Sequence, residues 1–258
     1  MILWQHLFWQ QTSGTWLNVA AITLGASLGT AVGDRLPQRF QQVMTQSLGL
    51  LTMILGIQLA GTLFRVKAGM VDGVIVALVA MIFGGIIGEW LNVEKYLDLW
   101  GDRLKGWILS VGIAPGMAKF TEGFVTASLL FCIGPMAILG SLENGLRGDL
   151  TLLGLKSALD GVAAIAFGSV YGVGVAFSAL PVLLYQGSLS LLAGLLATTA
   201  SDAPSVLLLT GVGGLLLVGL GLNLLGVTQM AIANFLPALL LMPLIYTVVE
   251  TASALLSA

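Results

Sequence analysis

Charge is what this sequence most lacks: 9% of its 258 residues are Asp, Glu, Lys or Arg, against roughly a quarter in soluble domains. So few cannot give a folded domain a solvated surface. Sulfur and imidazole are just as scarce. The one cysteine, Cys132, excludes an intrachain disulfide. Together with the one histidine, His6, it cannot make a His/Cys metal cluster or a Cys–His nucleophile pair. No basic cluster points to nucleic acid, and a net charge of −2 says little about partners. Gly134-Pro135 is not a phosphate loop, since no Gly-Lys-Ser/Thr follows, and Gly211-Val-Gly213-Gly214 lacks dinucleotide-site spacing. The paired carboxylates of a membrane hydrolase are missing too. The expectation is a protein that is not an enzyme, with no cofactor and no metal.

What the chain has is apolar length: 57% hydrophobic residues and a mean hydropathy of +1.01. A bilayer-spanning helix needs about 20 mostly apolar residues. Runs such as Val74–Phe83 and Leu207–Leu225 lack the two-residue alternation of a membrane barrel strand. The reading is an all-α polytopic bundle of eight apolar segments. They lie near Gly14–Gly33, Met44–Phe64, Met70–Leu91, Gly123–Gly140, Leu150–Phe177, Pro181–Thr198, Val206–Leu225 and Asn234–Leu255. Before them, residues 1–13 carry Trp4, Phe8 and Trp9, which suit the headgroup zone as an interfacial tail; no basic region or cleavage site marks a signal peptide. Between the third and fourth segments, 93–112 alternates charges with Tyr96, Trp100 and Trp107, as a surface helix lying on the bilayer does. Arg35, Arg39, Lys95, Arg103, Lys105 and Lys119 fall on one side against Arg65 and Lys67 on the other. The positive-inside rule makes the richer side cytoplasmic and puts both termini outside.

Asn18-Val-Ala-Ala-Ile-Thr-Leu-Gly25 resembles Gly161-Val-Ala-Ala-Ile-Ala-Phe-Gly168, which suggests two similar four-segment halves, 14–140 and 150–256. Transporters are often built from such repeats, with the substrate site near midplane between them. Proline breaks helices, so Pro135 could interrupt the fourth segment, and Pro237 and Pro243 the eighth. If the fourth crosses, the halves are parallel; if it dips in and returns, they are inverted. Glycines at four-residue spacing, Gly25, Gly29 and Gly33, suit close helix packing and would also support a homo-oligomer.

The residues that least belong in lipid are Lys156 and Asp160, four apart on one helix face near the middle of the fifth segment. Each costs about 2.5–3.5 kcal/mol to insert at the centre, and such residues normally face a bundle interior or a wet path. A purely structural pair is the competing reading. Asn18, Glu122, Gln186, Asn223 and Asn234 are further polar groups in apolar surroundings; each alone could be interhelical glue.

The block Phe120-Thr-Glu122-Gly-Phe-Val-Thr-Ala-Ser-Leu-Leu-Phe-Cys132-Ile-Gly-Pro-Met-Ala-Ile-Leu-Gly140 resembles the hallmark of the bacterial YqgA-like family (domain of unknown function 554). So do Gly14-Thr15 with Asn18, Arg35-Leu36-Pro37, Lys156-Ser157 with Asp160-Gly161, Tyr185-Gln186-Gly187-Ser188, Gly221-Leu222-Asn223 and Asn234 with Leu236-Pro237. The resemblance implies a multi-pass inner-membrane protein, described in that family as a transporter of unassigned substrate. The expectation is therefore a transporter or channel for a small polar or cationic solute, ion- or proton-coupled. Asp160, Lys156, Glu122, Asn18, Asn223, Asn234, Gln186 and Pro135 would line its path. The alternative is a non-transporting scaffold or sensor that docks a partner through the 93–112 helix.

Overall fold

A computed structural model describes residues 2–33, 37–110, 118–133, 135–193 and 204–257. Arg35, Gly134, the last two residues of the expected surface helix and the end of the sixth expected segment lie outside these. The helices are α1 (Ile2–Gly33), α2 (Gln38–Ala60), α3 (Gly73–Leu91), α4 (Val93–Ser110), α5 (Phe120–Cys132) and α6 (Pro135–Arg147). They continue with α7 (Thr151–Tyr171), α8 (Gly174–Phe177), α9 (Ala179–Leu191), α10 (Pro204–Leu224) and α11 (Leu236–Ser257). A hairpin of two short strands, β1 (Lys67–Ala68) and β2 (Val71–Asp72), precedes α3. Among the described residues, seven stretches are long and apolar enough to cross a membrane, and the α5–α6 pair, bent by 62°, makes an eighth if taken as one span.

α7 turns apolar side chains outward and keeps its ionisable ones within, the reverse of a helix in a soluble bundle. On α7, Leu155, Leu159 and Val162 are exposed, while Lys156, Ser157, Asp160 and Ala164 are buried. The 3.6-residue period separates the two sets onto opposite faces. Lipid can meet the first set; the second is turned into the unit.

The helices cluster into two compact units, Met1–Leu48 with Asp98–Thr198 and Gly49–Leu97 with Thr199–Ala258. Each draws on both sequence halves, so 14–140 and 150–256 are not themselves the compact units. In the first unit α1 lies along α7 on a stripe of glycines. A side chain at Gly25 would run into Gly161, at Gly29 into Ile165, and at Gly33 into Ser169; a Cβ on Gly168 would sit 2.6 Å from the Ala26 carbonyl. Residue numbers rise together along the contact, so α1 and α7 are parallel. Small residues here let the backbones touch, which is how helices gain dispersion contact in lipid.

The α5–α6 pair runs the full length of α7 in the opposite direction: Gly123 packs on Tyr171 at one end and Gly140 on Leu153 at the other. The fourth segment is thus broken yet traverses the unit. Arg147, not weighed in the sequence reading, ends α6 and lies at the opposite end of this unit from Lys119. α4 buries Gly101 and Ile108 against Phe120 and Phe124 of α5 and exposes Tyr96, Trp100 and Trp107.

In the second unit α2 runs antiparallel to α10, where a Cβ on Gly56 would sit 2.6 Å from the Val218 nitrogen. α3 runs antiparallel to α11, where a Cβ on Gly84 would sit 2.5 Å from the Ala238 Cα. Leu63, Val76, Leu208, Val212, Met242 and Tyr246 form its core.

Three expectations are corrected. The fifth helix ends at Tyr171 rather than Phe177, because Gly172 takes a positive φ of 77° that other residues rarely adopt. The sixth span begins at Gly174, and Pro181 sits in the first turn of α9, where a missing N–H is tolerated. α11 also continues through Pro243; only a short 3₁₀ turn, Ile232–Phe235, precedes it.

Gly29→Ala should lower stability by about 1–3 kcal/mol, the usual range for overpacking. Gly154→Ala, on the same bundle with open space around it, should be neutral or slightly stabilising. Thermal unfolding in detergent followed by circular dichroism distinguishes them; equal effects would mean that α1 and α7 do not touch as described.

Candidate functional site

The site is built on α7. Its start is set by Asp149, whose carboxylate accepts the Thr151 backbone N–H at 2.8 Å and the Thr151 hydroxyl at 2.7 Å. Those two bonds hold the Asp149 carboxyl below its ordinary value. Asp160 is the tenth residue of this 21-residue helix, so it lies near mid-span. Lys156, one turn earlier, donates its ammonium to Asp160 Oδ2 as a buried ion pair. Lys156 is 6% exposed and Asp160 9%.

Two other helices reach the pair. Asn18 of α1 donates Nδ2 to Asp160 Oδ2 at 2.9 Å, and also to Gln186 Oε1 of α9 at 3.3 Å. Asn18 and Gln186 are both fully buried. The short Asn18 side chain spans the gap because α1 and α7 are closely packed on either side of it, at Gly14–Leu153 and Ala21–Gly161. Cys132, the last residue of α5, is within electrostatic range of both Lys156 and Asp160. The interruption of the fourth span therefore lies at the depth of the ion pair.

Of the eight residues singled out in the sequence, four converge: Lys156, Asp160, Asn18 and Gln186. Pro135 opens α6 directly after the break at that depth. Glu122 is exposed in the first turn of α5, in range of Tyr171, roughly 16 Å along α7 from Asp160 at 1.5 Å per residue. A cavity of about 290 Å³ opens at that end, lined in part by Thr30, Gly33, Gln41, Lys119 and Tyr171.

Asn223 and Asn234 belong to the second unit. Asn223 closes the turn after α10, donating to the Met230 carbonyl at 2.7 Å and accepting from the Met230 N–H and the Thr228 hydroxyl. Asn234 donates to Glu89 Oε2 at 2.7 Å and accepts the Glu94 N–H at 2.8 Å, tying the turn before α11 to the α3–α4 junction. Thr15, one turn before Asn18 and fully buried, was passed over in the sequence. Its signal was there, in the Gly14-Thr15 element that stands beside Asn18.

Removing one partner of a buried ion pair strands the other charge and typically costs about 3–5 kcal/mol. Lys156→Met should therefore destabilise strongly, and Lys156→Met with Asp160→Leu should recover most of the loss. Unfolding of the two single variants and the double variant measures this; additive losses would mean that the residues do not interact.

The chain matches the family model described as "Protein of unknown function (DUF554)" over residues 13–247. It is 30% identical over 239 residues to "Uncharacterized membrane protein YdfK" of Bacillus subtilis (strain 168), covering 92% of this chain and 96% of that one. It is 32% identical over 233 residues to "Uncharacterized protein YqgA" of Escherichia coli (strain K12), covering 90% and 95%. No solved structure matches. Both its apolar helices and its relatives make this a membrane protein, and the chain belongs to the DUF554 family.

Proposed function

We propose that the protein is a transporter or channel for a small polar or cationic solute, working at the plasma (inner) membrane, and that it is not an enzyme. The observation that carries this reading is the buried Lys156–Asp160 pair, hydrogen-bonded to Asn18 beside Gln186 at the depth where the fourth span is broken. Ionisable groups at mid-membrane are expensive, and where they persist they usually mark an ion or substrate path. Broken helices favour the same purpose, because they bring polar helix ends to mid-membrane, where transporters bind their cargo. The cavity near Lys119 and Tyr171, with Glu122 at the same end, supports placing the entrance on that side.

A helical bundle, unlike a barrel, suits an inner rather than an outer bacterial membrane. The side bearing Arg39, Lys95, Arg103, Lys105 and Lys119 is assigned to the cytoplasm. Duplication also fits this reading: the two similar segments beginning at Asn18 and Gly161 run parallel and in contact, as parallel halves require. The scaffold alternative rests on α4, whose exposed Tyr96, Trp100 and Trp107 are as well explained by a helix lying in the headgroups.

Asp160→Asn keeps the shape of the side chain and removes its charge. In vesicles reconstituted with purified protein, it should abolish flux of the transported cation or solute while leaving insertion and helix content intact. Undiminished flux would remove the pair from the path. Charge reversal at Arg103 and Lys105 should leave flux unchanged; loss of a captured partner instead would favour the scaffold.

A further inference from the structure

Three side-chain atoms beside the ion pair are buried without a hydrogen-bond partner among the described residues: Thr15 Oγ1, Asn18 Oδ1 and Gln186 Nε2. All three residues are 0% exposed. All three lie along the contact of α1 with α9. Asn18 and Gln186 are bonded to each other, and the Thr15 methyl lies against Gly187, the neighbour of Gln186. Leaving a buried polar atom without a partner is costly, so three along one contact call for a ligand rather than an accident of packing.

Their chemistry says which ligand. Asn18 Oδ1 is an acceptor, Gln186 Nε2 a donor, and the Thr15 hydroxyl can be either. One molecule with two donor hydrogens and one acceptor oxygen satisfies all three at once, and that molecule is water, which typically makes about three hydrogen bonds when buried. A metal cation fits poorly. Hard cations take six or more oxygen ligands, whereas this place offers two free oxygens beside an amide N–H₂ and a lysine ammonium.

We propose that Thr15, Asn18 and Gln186 hold a water molecule against the Lys156–Asp160 pair, and that the ion bound there is a proton delivered through that water to Asp160. Asn18 joins the two parts, with Nδ2 on the carboxylate and Oδ1 on the water. In the loading step a hydrated proton gives up one O–H bond, a new O–H bond forms on an Asp160 carboxylate oxygen, and neutral water stays behind. Lys156 keeps its ammonium, so the pair passes from net charge zero to plus one and returns to zero on release.

The other groups able to respond to pH on the elements packed here are few. Cys132 on α5 is in range of both charges, and Tyr185 on α9 in range of Cys132. Glu143 on α6 adjoins Asn144, which accepts the Gly14 N–H. Among the described residues, those that α1 turns toward the pair, Thr15 and Asn18, are neutral.

This deepens the transport reading, but proton binding can be measured without cargo. Infrared difference spectra of the purified full chain in lipid nanodiscs, recorded as pH is lowered in H₂O and in D₂O, read it directly. The expected result is a carboxylic C=O band that grows with acid, shifts in D₂O and is lost in Asp160→Asn. It should persist in Glu143→Gln and be displaced in Thr15→Val and Gln186→Leu. An O–H band sensitive to ¹⁸O-labelled water should accompany it and vanish in those last two variants, while Thr15→Ser should retain both bands. Thermal stability gives a second reading: Thr15→Val should lower it if the hydroxyl holds water, whereas removing a dry orphan would raise it.

The proposal is overturned if the spectra of wild type and Asp160→Asn respond identically to acid. It is also overturned if the carboxylate bands answer to Na⁺ and not to pH, or if Thr15→Val raises stability with no water band in the wild type. Flux that depends on Asp160 in any of these cases would leave the transport reading standing with a different ion.

Discussion

An ammonium and a carboxylate held at mid-span in an apolar helix form the constraint on which the rest of this structure depends. Neither Lys156 nor Asp160 could remain there facing lipid, at about 2.5–3.5 kcal/mol apiece. The helix meets this by turning both inward and presenting Leu155, Leu159 and Val162 outward. Facing inward is not enough, since a carboxylate has more hydrogen-bonding capacity than one lysine can fill. Asn18 supplies the next bond, and an asparagine side chain is short. It reaches Asp160 only because α1 and α7 approach until their backbones touch, which the glycines at 25, 29, 33, 161 and 168 permit. The glycine stripe and the polar cluster are therefore one device.

The same constraint gives meaning to the break between α5 and α6. A continuous fourth helix would present only side chains at this depth. The interrupted one brings two helix ends there, with Cys132 in range of both charges. Helix ends carry partial charges and unfilled backbone groups, which lipid cannot satisfy and a polar interior can. A carboxylate, an ammonium, two amides and a broken span at one level constitute a polar centre inside an otherwise oily unit.

Much of this was readable from the residues alone. The i, i+4 spacing of Lys156 and Asp160 placed them on one face, and the apolar runs gave the spans. Pro135 gave the break, and the charged–aromatic alternation after Asn92 gave the surface helix. What one dimension could not show was convergence. Asn18, Asp160 and Gln186 lie 142 and 168 positions apart, and no local pattern says that their helices adjoin. That Asn223 and Asn234 bond within turns was hidden for a related reason: an amide just inside an apolar run and one closing the turn beyond it differ by only two or three residues. The turn at Gly172 was hidden because apolar residues flank it on both sides. The Pro243 expectation overstated what one proline does to a helix able to continue past it.

The central claim is that water reaches the buried face of α7 around Lys156 and Asp160 during function, while the outer face borders lipid. Accessibility of single cysteines to a membrane-impermeant thiol reagent, in a Cys132→Ser background, tests it most directly. The account predicts that Ser157→Cys, beside the pair, labels from solution, with Leu159→Cys, Val162→Cys and the helix-packed Ala164→Cys protected. Protection of Ser157→Cys as well, with the protein folded and inserted, would make the buried charges a dry structural bond and contradict the account.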